Sequence, residues 1–317
     1  MSGGIDSTMS AILLQEAGYE LVGVTFRTFD SMLDSCIAKE KGCCTIDSIM
    51  EARNMAEHLG FEHHILDLRD FFRSNVISNF IDEYMAGRTP NPCVVCNSTV
   101  KWGELLNFAT EHGCTYIATG HYAQIGVSNG RHYICKGVDA AKDQSYFLWK
   151  LTSAQLARTL FPLGKYTKQE VRQMAADHGY IRLSQKRESQ EICFVPDNDY
   201  RQFLQLNVDG YNDKVKPGNF VDADGRILGQ HKGFPNYTIG QRKGLQIALG
   251  KPMYVTGINP TQNIVTLGTK EDLMSRSMIV TDVNLTKIDF PTEPAEVWAR
   301  IRYRSKGGKA VIQPGDM

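Results

Sequence analysis

Apolar residues recur at helical spacing through the first 180 residues, and short apolar runs separate the helical stretches. The first stripe, with Met9 and Ile12, predicts a helix over residues 7–17. A capping box formed by Thr167 and Glu170 predicts the start of a later helix. Buried strands are predicted at residues 21–26, 61–66 and 115–118. Helices that alternate with short strands predict an α/β fold with a doubly wound parallel sheet.

The pattern changes near residue 200, where Gly, Pro and Asn increase and helical stripes disappear. An Asp224-Gly225 turn predicts a β-hairpin. Further strands are predicted at 253–258, 263–267, 277–283 and 297–304. We therefore expect three domains: a pyrophosphate-loop domain at 1–202, a small, mostly β central domain at 203–272, and a β-barrel domain at 273–317. The last segment is too short for all the strands of a closed barrel.

Composition and charge narrow the class of protein. The 317 residues are 42% hydrophobic, which indicates a globular chain, yet no apolar run reaches the roughly 20 residues of a membrane span. No signal sequence opens the chain, so we expect a cytoplasmic protein. Its eight cysteines are then expected to be reduced, as catalytic or metal-binding thiols. Because 35 basic residues balance 35 acidic ones, a nucleic acid would have to bind local basic patches.

The string S-G-G-I-D-S at residues 2–7 predicts a phosphate cradle. Gly3 and Gly4 permit a nest of inward-facing N–H groups, and Ser7 is predicted to open a helix whose positive end favours an anion. The lysine of the common nucleotide loop is absent from this string. An ordinary strand-to-helix turn is the alternative. A doubly wound fold also needs an apolar strand before the cradle, so we expect residues upstream of this chain.

Cys93 and Cys96 form a C-x-x-C pair on a loop stiffened by Pro92, just before a predicted helix. The positive end of a helix lowers a thiol pKa, which favours a nucleophilic thiolate. A structural zinc site and a pair of buried structural cysteines are the alternatives. Zinc is disfavoured because a second spaced pair is missing: Cys43 and Cys44 are adjacent.

A second candidate thiol, Cys193, lies in a short apolar run after a polar segment, residues 184–190, that we expect to be a mobile loop. A core cysteine is the alternative at this position. Structural roles are expected for the remaining cysteines at Cys36, Cys114 and Cys135.

Polar candidates follow the predicted strand at 115–118. Gly120 would let a nucleotide approach the backbone, and His121 would face the same crevice. A polar cluster at 141–146 suits contacts to a nucleic acid, although a solvated turn has a similar composition. Arg300, Arg302 and Arg304 alternate with Ile301 and Tyr303, so a strand there would carry all three guanidinium groups on one face, which suits phosphates. An exposed face of a β-barrel is the alternative, because it has a similar pattern.

Together these strings resemble the tRNA-specific 2-thiouridylases, members of the ATP pyrophosphatase superfamily. The matches follow the family's order along most of the chain. They are S-G-G-x-D-S at 2–7, A-G-R-T-P-N-P at 86–92, C-N at 96–97, A-T-G-H-Y at 118–122, K-D-Q-S-Y-F-L at 142–148, I-C-F at 192–194, G-Q-R-K-G-L at 240–245 and R-Y-R at 302–304.

The resemblance implies a set of site residues. ATP, used with Mg²⁺, would contact Ser2, Gly3, Gly4, Ile5, Asp6, Ser7, Phe26 and Gly120. The target base would contact Asn91, Pro92 and Cys93, and tRNA would contact His121, Lys142, Asp143, Gln144, Arg302 and Tyr303. The catalytic residues would be Asp6, Cys96 as nucleophile and Cys193 as persulfide carrier.

The implied reaction adenylates O2 of a wobble uridine and then transfers sulfur from Cys193 to C2, with Cys96 resolving the persulfide. Expected partners are tRNA, with Glu, Gln and Lys acceptors foremost, and a persulfide donor protein of the cysteine desulfurase relay. Cys93 departs from the family pattern, in which an aspartate often stands at this position. A four-iron four-sulfur cluster held by Cys93, Cys96 and Cys193 is therefore an alternative hypothesis.

Two other functions stay open on the sequence alone. One is a pyrophosphate-loop synthetase that acts on a small molecule, although its substrate would not need the β modules or the arginine-rich segment. The other is a tRNA-binding paralog without catalysis, for which the short ends of the chain are the support.

Overall fold

The computed structural model describes residues 1–29, 46–186, 192–247 and 250–315. Cys36, Cys43, Cys44 and most of the expected loop at 184–190 lie outside these ranges. The described helices are α1 (Ile5–Glu16), α2 (Ile46–Leu59), α3 (Arg69–Phe72), α4 (Ser78–Met85), α5 (Pro92–Cys96), α6 (Leu105–Glu111), α7 (Ser153–Ala157), α8 (Lys168–Asp177), α9 (Ile181–Gln185), α10 (Tyr200–Asn207) and α11 (Tyr211–Lys214). Single π-helical stretches, Arg73–Ile77 and Asn97–Glu104, join α3 to α4 and α5 to α6.

The strands are short and occur in pairs or in one larger sheet. They are β1 (Val22–Arg27), β2 (Glu62–Asp67), β3 (Ile117–Ala118), β4 (Ala123–Ser128), β5 (Arg131–Lys136), β6 (Thr159–Leu160), β7 (Gly218–Val221), β8 (Ile227–His231), β9 (Tyr254–Asn259), β10 (Ile264–Gly268), β11 (Ala295–Ala299) and β12 (Gly308–Ile312).

The chain divides into two compact units, and the first contains residues 1–69, 93–189 and 279–317. Its strands form two parallel pairs: β1 lies beside β2, with Val24 opposite His64, and β3 lies beside β6, a strand not predicted from the sequence. Strands β4 and β5 add an antiparallel hairpin. The parallel pairing of strands separated by helices confirms the α/β fold class.

Two apolar clusters form the core of this unit, and the first fixes the start of α1. Ile5, Met9 and Ile12, on one face of α1, pack with Val171 and Ala175 of α8. The second cluster joins the helical segment at 92–111 to β3 and β4. Its buried members are Trp102, Ala109, Ile117, Ala123, Leu148, Leu151 and Leu156. These contacts follow from the helical stripes in the sequence and hold the site-bearing turns in place.

The second unit contains residues 70–92 and 190–278. Its sheet has the order β8-β7-β10-β9, in which β7 and β8 form the predicted hairpin and Gly225 takes the left-handed backbone that the turn requires. The prediction that helices disappear after residue 200 is wrong, because α10 forms there. The Asp199 side chain caps the start of α10, and Phe203 and Leu204 of this helix are buried. The three-domain division at 202 and 272 stays a prediction.

The C-terminal residues of the first unit form one antiparallel hairpin, β11 with β12. Two strand predictions are wrong in this region. Residues 277–283 form no strand, and β11 ends at Ala299, so residues 300–304 form a turn instead of extended chain. Among the described residues, no helix is long and apolar enough to cross a membrane.

Candidate nucleotide and tRNA site

The turn before α1 has the shape that the sequence predicts for a phosphate cradle. Gly3 takes a φ of +62°, and a Cβ built there would lie 2.6 Å from the Ser48 carbonyl oxygen, so only glycine fits. Helix α1 begins at Ile5, two residues before the predicted start at Ser7, with Gly4 as its N-cap. The first N–H groups of α1 therefore lie directly after the glycine turn.

The two serine hydroxyls of the cradle lie together. Ser2 Oγ donates to Ser7 Oγ at 3.3 Å, and the Ser2 N–H donates to the same oxygen at 3.2 Å. Ser7 Oγ in turn donates to the Gly4 carbonyl oxygen at 3.0 Å. This network gathers both hydroxyls at the helix start, where an anion is favoured.

Asp6, in the first turn of α1, accepts two hydrogen bonds on one carboxylate oxygen. The Lys168 Nζ donates to Asp6 Oδ1 at 2.7 Å, and the Tyr122 hydroxyl donates to the same atom at 2.8 Å. Lys168 is the first residue of α8, and its side chain is 8% exposed. The structure thus supplies a lysine to the cradle that the sequence motif lacks. The capping box at Thr167 indicates where α8 begins but not what it faces, so sequence reasoning missed Lys168.

Gly120 and Phe26, both expected at the nucleotide, belong to the same unit as the cradle. A Cβ at Gly120 would lie 2.9 Å from the Asp6 carbonyl carbon, so this glycine is needed for the approach of α1 itself. Phe26 is half-buried near the carboxyl end of β1, opposite Leu66 of β2. The structure brings Gly120 and Asp6 together, and their contact with ATP stays a prediction.

The C-x-x-C pair lies within a helix, which corrects the prediction of a loop. Helix α5 begins at Pro92, whose fixed φ suits a first helical position, and it contains both Cys93 and Cys96. Cys93 is exposed and Cys96 is half-buried. The buried Asn97 that follows donates from Nδ2 to the Phe147 carbonyl oxygen at 2.9 Å, which fixes the segment against the loop at 142–148.

Cys193 belongs to the second unit, in a turn closed by the Val195 N–H donating to the Ile192 carbonyl oxygen. The thiol is half-buried, whereas the next residue, Phe194, is fully buried. Phe194 packs edge to face on Phe72 and Phe80, with ring centroids 5.6 and 5.2 Å apart. The aromatic cluster therefore fixes the backbone next to Cys193. The Cys193 thiol itself is less buried than a cysteine of the core would be.

His121 lies beside Trp102, with ring centroids 5.6 Å apart, and its Nδ1 is 2.8 Å from Thr119 Oγ1. Burial, with a smaller contribution from the Lys101 charge, lowers the pKa of His121 well below 6.5. The imidazole is therefore neutral at pH 7, so it offers a hydrogen bond but no positive charge to an RNA phosphate.

In the loop at 142–148, which is expected to contact tRNA, two polar side chains are already hydrogen-bonded to nearby backbone groups. Asp143 is buried, and its carboxylate accepts from the Gly137 and Ser145 N–H groups at 3.1 and 3.2 Å. The Gln144 Oε1 accepts from the Tyr122 N–H at 3.0 Å. These two residues shape the loop, and Lys142 is its half-buried basic residue.

The arginine-rich segment meets this loop, although not as a strand. Arg300 lies 3.8 Å from the Asp143 carboxylate and donates to the Tyr303 carbonyl oxygen, closing the turn. Tyr303 packs on Phe147, with ring centroids 4.6 Å apart. Arg302 is exposed. The arginines therefore do not share one face, but two of the predicted tRNA-contacting segments are adjacent.

Metal ligands are not clustered in the part of the chain that the structure describes. No group of three or more His, Cys, Asp or Glu side chains there is arranged to hold a metal ion. The cysteine-ligated cluster therefore stays a hypothesis.

Comparison with protein families gives two matches. Residues 1–197 match the family described as a tRNA methyl transferase HUP domain, and residues 208–269 match a tRNA methyl transferase PRC-barrel domain.

Individual relatives match the whole chain. The chain is 51% identical over 319 residues to the tRNA-specific 2-thiouridylase MnmA of Amoebophilus asiaticus, covering 100% of this chain and 85% of that protein. It is 50% identical to the protein of the same name from Halothermothrix orenii, covering 99% and 87%. The Salinibacter ruber protein of that name is 48% identical, covering 100% and 84%.

Proposed function

Because the chain belongs to the family of tRNA-specific 2-thiouridylases, we propose that it is an ATP-dependent tRNA sulfurtransferase that replaces O2 of a uridine with sulfur. The observation that carries this proposal is the cradle before α1. There Gly3, with its left-handed backbone, and the hydroxyls of Ser2 and Ser7 are assembled at a helix start. Such a turn suits the phosphates of a nucleotide.

The matched domain descriptions name methyl transfer, whereas the relatives are named thiouridylases. The site chemistry favours thiolation. Methyl transfer from a methyl donor needs no polyphosphate cradle, while replacement of a carbonyl oxygen needs an activating group and a sulfur nucleophile. The cradle suits a nucleotide that supplies the activating group, and Cys96 and Cys193 suit the delivery of the sulfur nucleophile.

The first step activates the base. The uridine O2 attacks the α-phosphorus of ATP, the bond to the β-phosphate breaks, and pyrophosphate leaves. The N–H groups at the start of α1, with Ser2 and Ser7, bind the phosphates and favour the charge that develops on pyrophosphate. Asp6 Oδ2 accepts no hydrogen bond from the described residues, so this atom would hold the magnesium ion of the nucleotide. Magnesium would neutralise phosphate charge during departure.

The second step transfers sulfur. The terminal sulfur of a Cys193 persulfide attacks C2, the C2–O2 bond breaks, and AMP leaves. The Cys96 thiolate then attacks Cys193 Sγ, which breaks the S–S bond to the base and yields 2-thiouridine and a Cys96–Cys193 disulfide. Attack by Cys96 on the persulfide before transfer would instead release hydrosulfide as the nucleophile. In both routes a thiol reductant restores the two thiols.

The substrate is a tRNA with uridine at the wobble position. In this proposal Asn91, Pro92 and Cys93 contact the base, Arg302 and Lys142 contact phosphates, and Tyr303 and the neutral His121 add hydrogen bonds. Asp143 and Gln144 act by shaping the loop, because their side chains are used within it. Glu, Gln and Lys acceptors are the expected tRNAs, and a persulfide carrier protein of the cysteine desulfurase relay delivers sulfur.

A cluster-dependent route is the second candidate, because a third thiol is present at Cys93 and is exposed. Iron and sulfide added anaerobically would then produce bound iron and visible absorbance. Activity of iron-free protein with a persulfide donor, retained in Cys93→Ser, would exclude this route.

The test measures AMP and pyrophosphate release from ATP, with a persulfide donor and unmodified tRNA. We expect release only with tRNA that has a wobble uridine, and none with a matched tRNA in which cytidine replaces that base. Release without tRNA would favour a small-molecule synthetase. Saturable tRNA binding without ATP binding or turnover would favour a non-catalytic paralog.

A further inference from the structure

An ion pair joins the cradle to a helix far along the chain. Asp6 and Lys168 are 162 residues apart in sequence, yet their charged groups are 2.7 Å apart. The Lys168 side chain is 8% exposed, and that of Asp6 is 34% exposed. A lysine this enclosed is uncommon unless its charge is paired.

Several contacts fix the position of the Lys168 ammonium. The Thr167–Glu170 capping box sets the start of α8, and the Lys168 backbone N–H donates to Asp139 Oδ2 at 2.9 Å. The ammonium also lies 5.5 Å from the centre of the Tyr122 ring, whose hydroxyl donates to the same Asp6 oxygen. Lys168 is therefore held in this geometry by its own helix and by its neighbours.

A carboxylate at a phosphate cradle poses an electrostatic problem. Asp6 belongs to the first turn of α1, whose N–H groups would face the polyphosphate. An uncompensated negative charge there would repel the ligand that the turn is shaped to bind. A cation paired with Asp6 removes that repulsion while leaving the second carboxylate oxygen available.

We propose that Lys168 is a positioning residue of the nucleotide site, which neutralises and orients Asp6 so that the cradle accepts a polyphosphate. This inference rests on the proposed function, since it takes ATP as the ligand. Lys168 differs in role from the lysine of the common nucleotide loop, which contacts the phosphates directly. Lys168 acts through Asp6, because its side chain is enclosed and already bonded to that residue.

The test is a charge cycle measured by isothermal titration calorimetry, without divalent cation so that Asp6 has no metal to bind. The titrants are ATP, pyrophosphate and adenosine, and the proteins are wild type, Lys168→Met, Lys168→Arg, Asp6→Asn and the double variant Asp6→Asn/Lys168→Met. Circular dichroism during heating reports folding of each variant. Adenosine is the key control, because it carries no phosphate charge.

We expect Lys168→Met to weaken ATP and pyrophosphate binding about tenfold, the size of a unit charge acting over about 10 Å of partly hydrated protein. Adenosine affinity should not change. Lys168→Arg should retain most of the affinity, Asp6→Asn should bind ATP at least as well as wild type, and the double variant should recover what Lys168→Met loses. Added salt should shrink these differences.

Two results would overturn the inference while leaving the proposed function intact: equal ATP affinity in wild type and Lys168→Met, or equal loss for ATP and adenosine, which indicates a purely structural role. If Lys168→Met does not fold, the double variant Asp6→Asn/Lys168→Met decides. It lacks both charges, so a tenfold loss of its ATP affinity relative to wild type would contradict charge compensation. Wild type that binds neither ATP nor pyrophosphate, whether or not magnesium is added, would overturn the proposed function and the inference together. Wild type that binds ATP only with added magnesium would contradict the inference alone, because neutralisation of Asp6 by Lys168 would then not be enough for the cradle to accept a polyphosphate.

Discussion

Replacement of Gly120 by alanine should displace the cradle, although none of the cradle's own residues is substituted. A Cβ at this position would lie 2.9 Å from the Asp6 carbonyl carbon, 2.9 Å from Asp6 Cβ and 3.0 Å from the Asp6 oxygen. Real Cβ contacts are longer, and two of these three atoms are backbone, so they cannot rotate away. The start of α1 must shift, and it carries the first N–H groups of the proposed phosphate site.

Gly103→Ala is the matched control. Gly103 lies in the same unit, within the π-helical stretch Asn97–Glu104, and the nearest atom to a new Cβ is the Ser98 carbonyl oxygen at 3.9 Å. Both substitutions lower the entropy of the unfolded chain in the same way. The difference in their free energies of unfolding therefore isolates the contact with Asp6, and overpacking of this kind costs about 1–3 kcal/mol.

Urea denaturation gives the two free energies, and calorimetry gives the ATP affinity. We expect Gly120→Ala to be about 1–3 kcal/mol less stable than Gly103→Ala and to bind ATP about tenfold more weakly, a factor worth about 1.4 kcal/mol. Gly103→Ala should bind ATP as wild type does. Equal stability of the two variants, or unchanged ATP affinity in Gly120→Ala, would refute the packing argument.

Three further predictions test separate parts of the structure. Thr159→Val should lower the free energy of unfolding, measured by urea denaturation, by about 1–3 kcal/mol, because Trp102 Nε1 donates to Thr159 Oγ1 at 2.8 Å in the core. Thr159→Ser keeps the hydroxyl and should lower it less, so equal losses in the two variants would contradict this reasoning. Burial lowers the pKa of His63 from 6.5 to about 4, so between these pH values the unfolded chain binds a proton that the folded chain does not. Stability should therefore fall as pH drops from 6.5 to 4, and less so in His63→Gln, measured by urea midpoints; parallel pH profiles would contradict the assignment. Arg302→Ala should weaken tRNA binding and reduce the slope of log affinity against log salt by about one, because one phosphate contact is lost; an unchanged slope would remove Arg302 from the phosphate contacts.

Local features could be predicted from the sequence because neighbouring residues determine them. Thr167 and Glu170 form the predicted capping box, with both reciprocal hydrogen bonds present. The hairpin at Gly225 forms as predicted, because the left-handed backbone suits glycine. The glycine turn of the cradle is likewise a local feature, since Gly3 and the start of α1 are adjacent in sequence.

The arginine-rich segment shows where a period-two pattern fails. Alternation predicts a strand only if a neighbouring strand accepts its hydrogen bonds. Here the hydrogen bonds are made within the segment itself. The Arg300 side chain donates to the Tyr303 carbonyl oxygen, and the Ser305 N–H donates to the Arg302 carbonyl oxygen. The turn brings Tyr303 onto Phe147, a contact that alternation along one segment cannot indicate.

The Lys168–Asp6 pair shows a different limit. Nothing near Lys168 in sequence distinguishes it from an exposed lysine at a helix start, since its partner is 162 residues away. Only the packing of α1 on α8, through Met9 and Val171, brings the two charges together. The motif at residues 2–7 therefore indicates the ligand class, while the fold determines the charge balance.

The most direct test of the central claim is mass spectrometry of nucleosides from unmodified tRNA incubated with the chain, ATP, magnesium and a persulfide donor. We predict an ATP-dependent nucleoside heavier than uridine by the difference between sulfur and oxygen. It should be absent with Cys96→Ala or Cys193→Ala and present with Cys135→Ala, a cysteine of β5 outside the proposed site. Uridine left unmodified by wild-type protein that binds both ATP and tRNA, or thiolation that persists without ATP, would contradict the account.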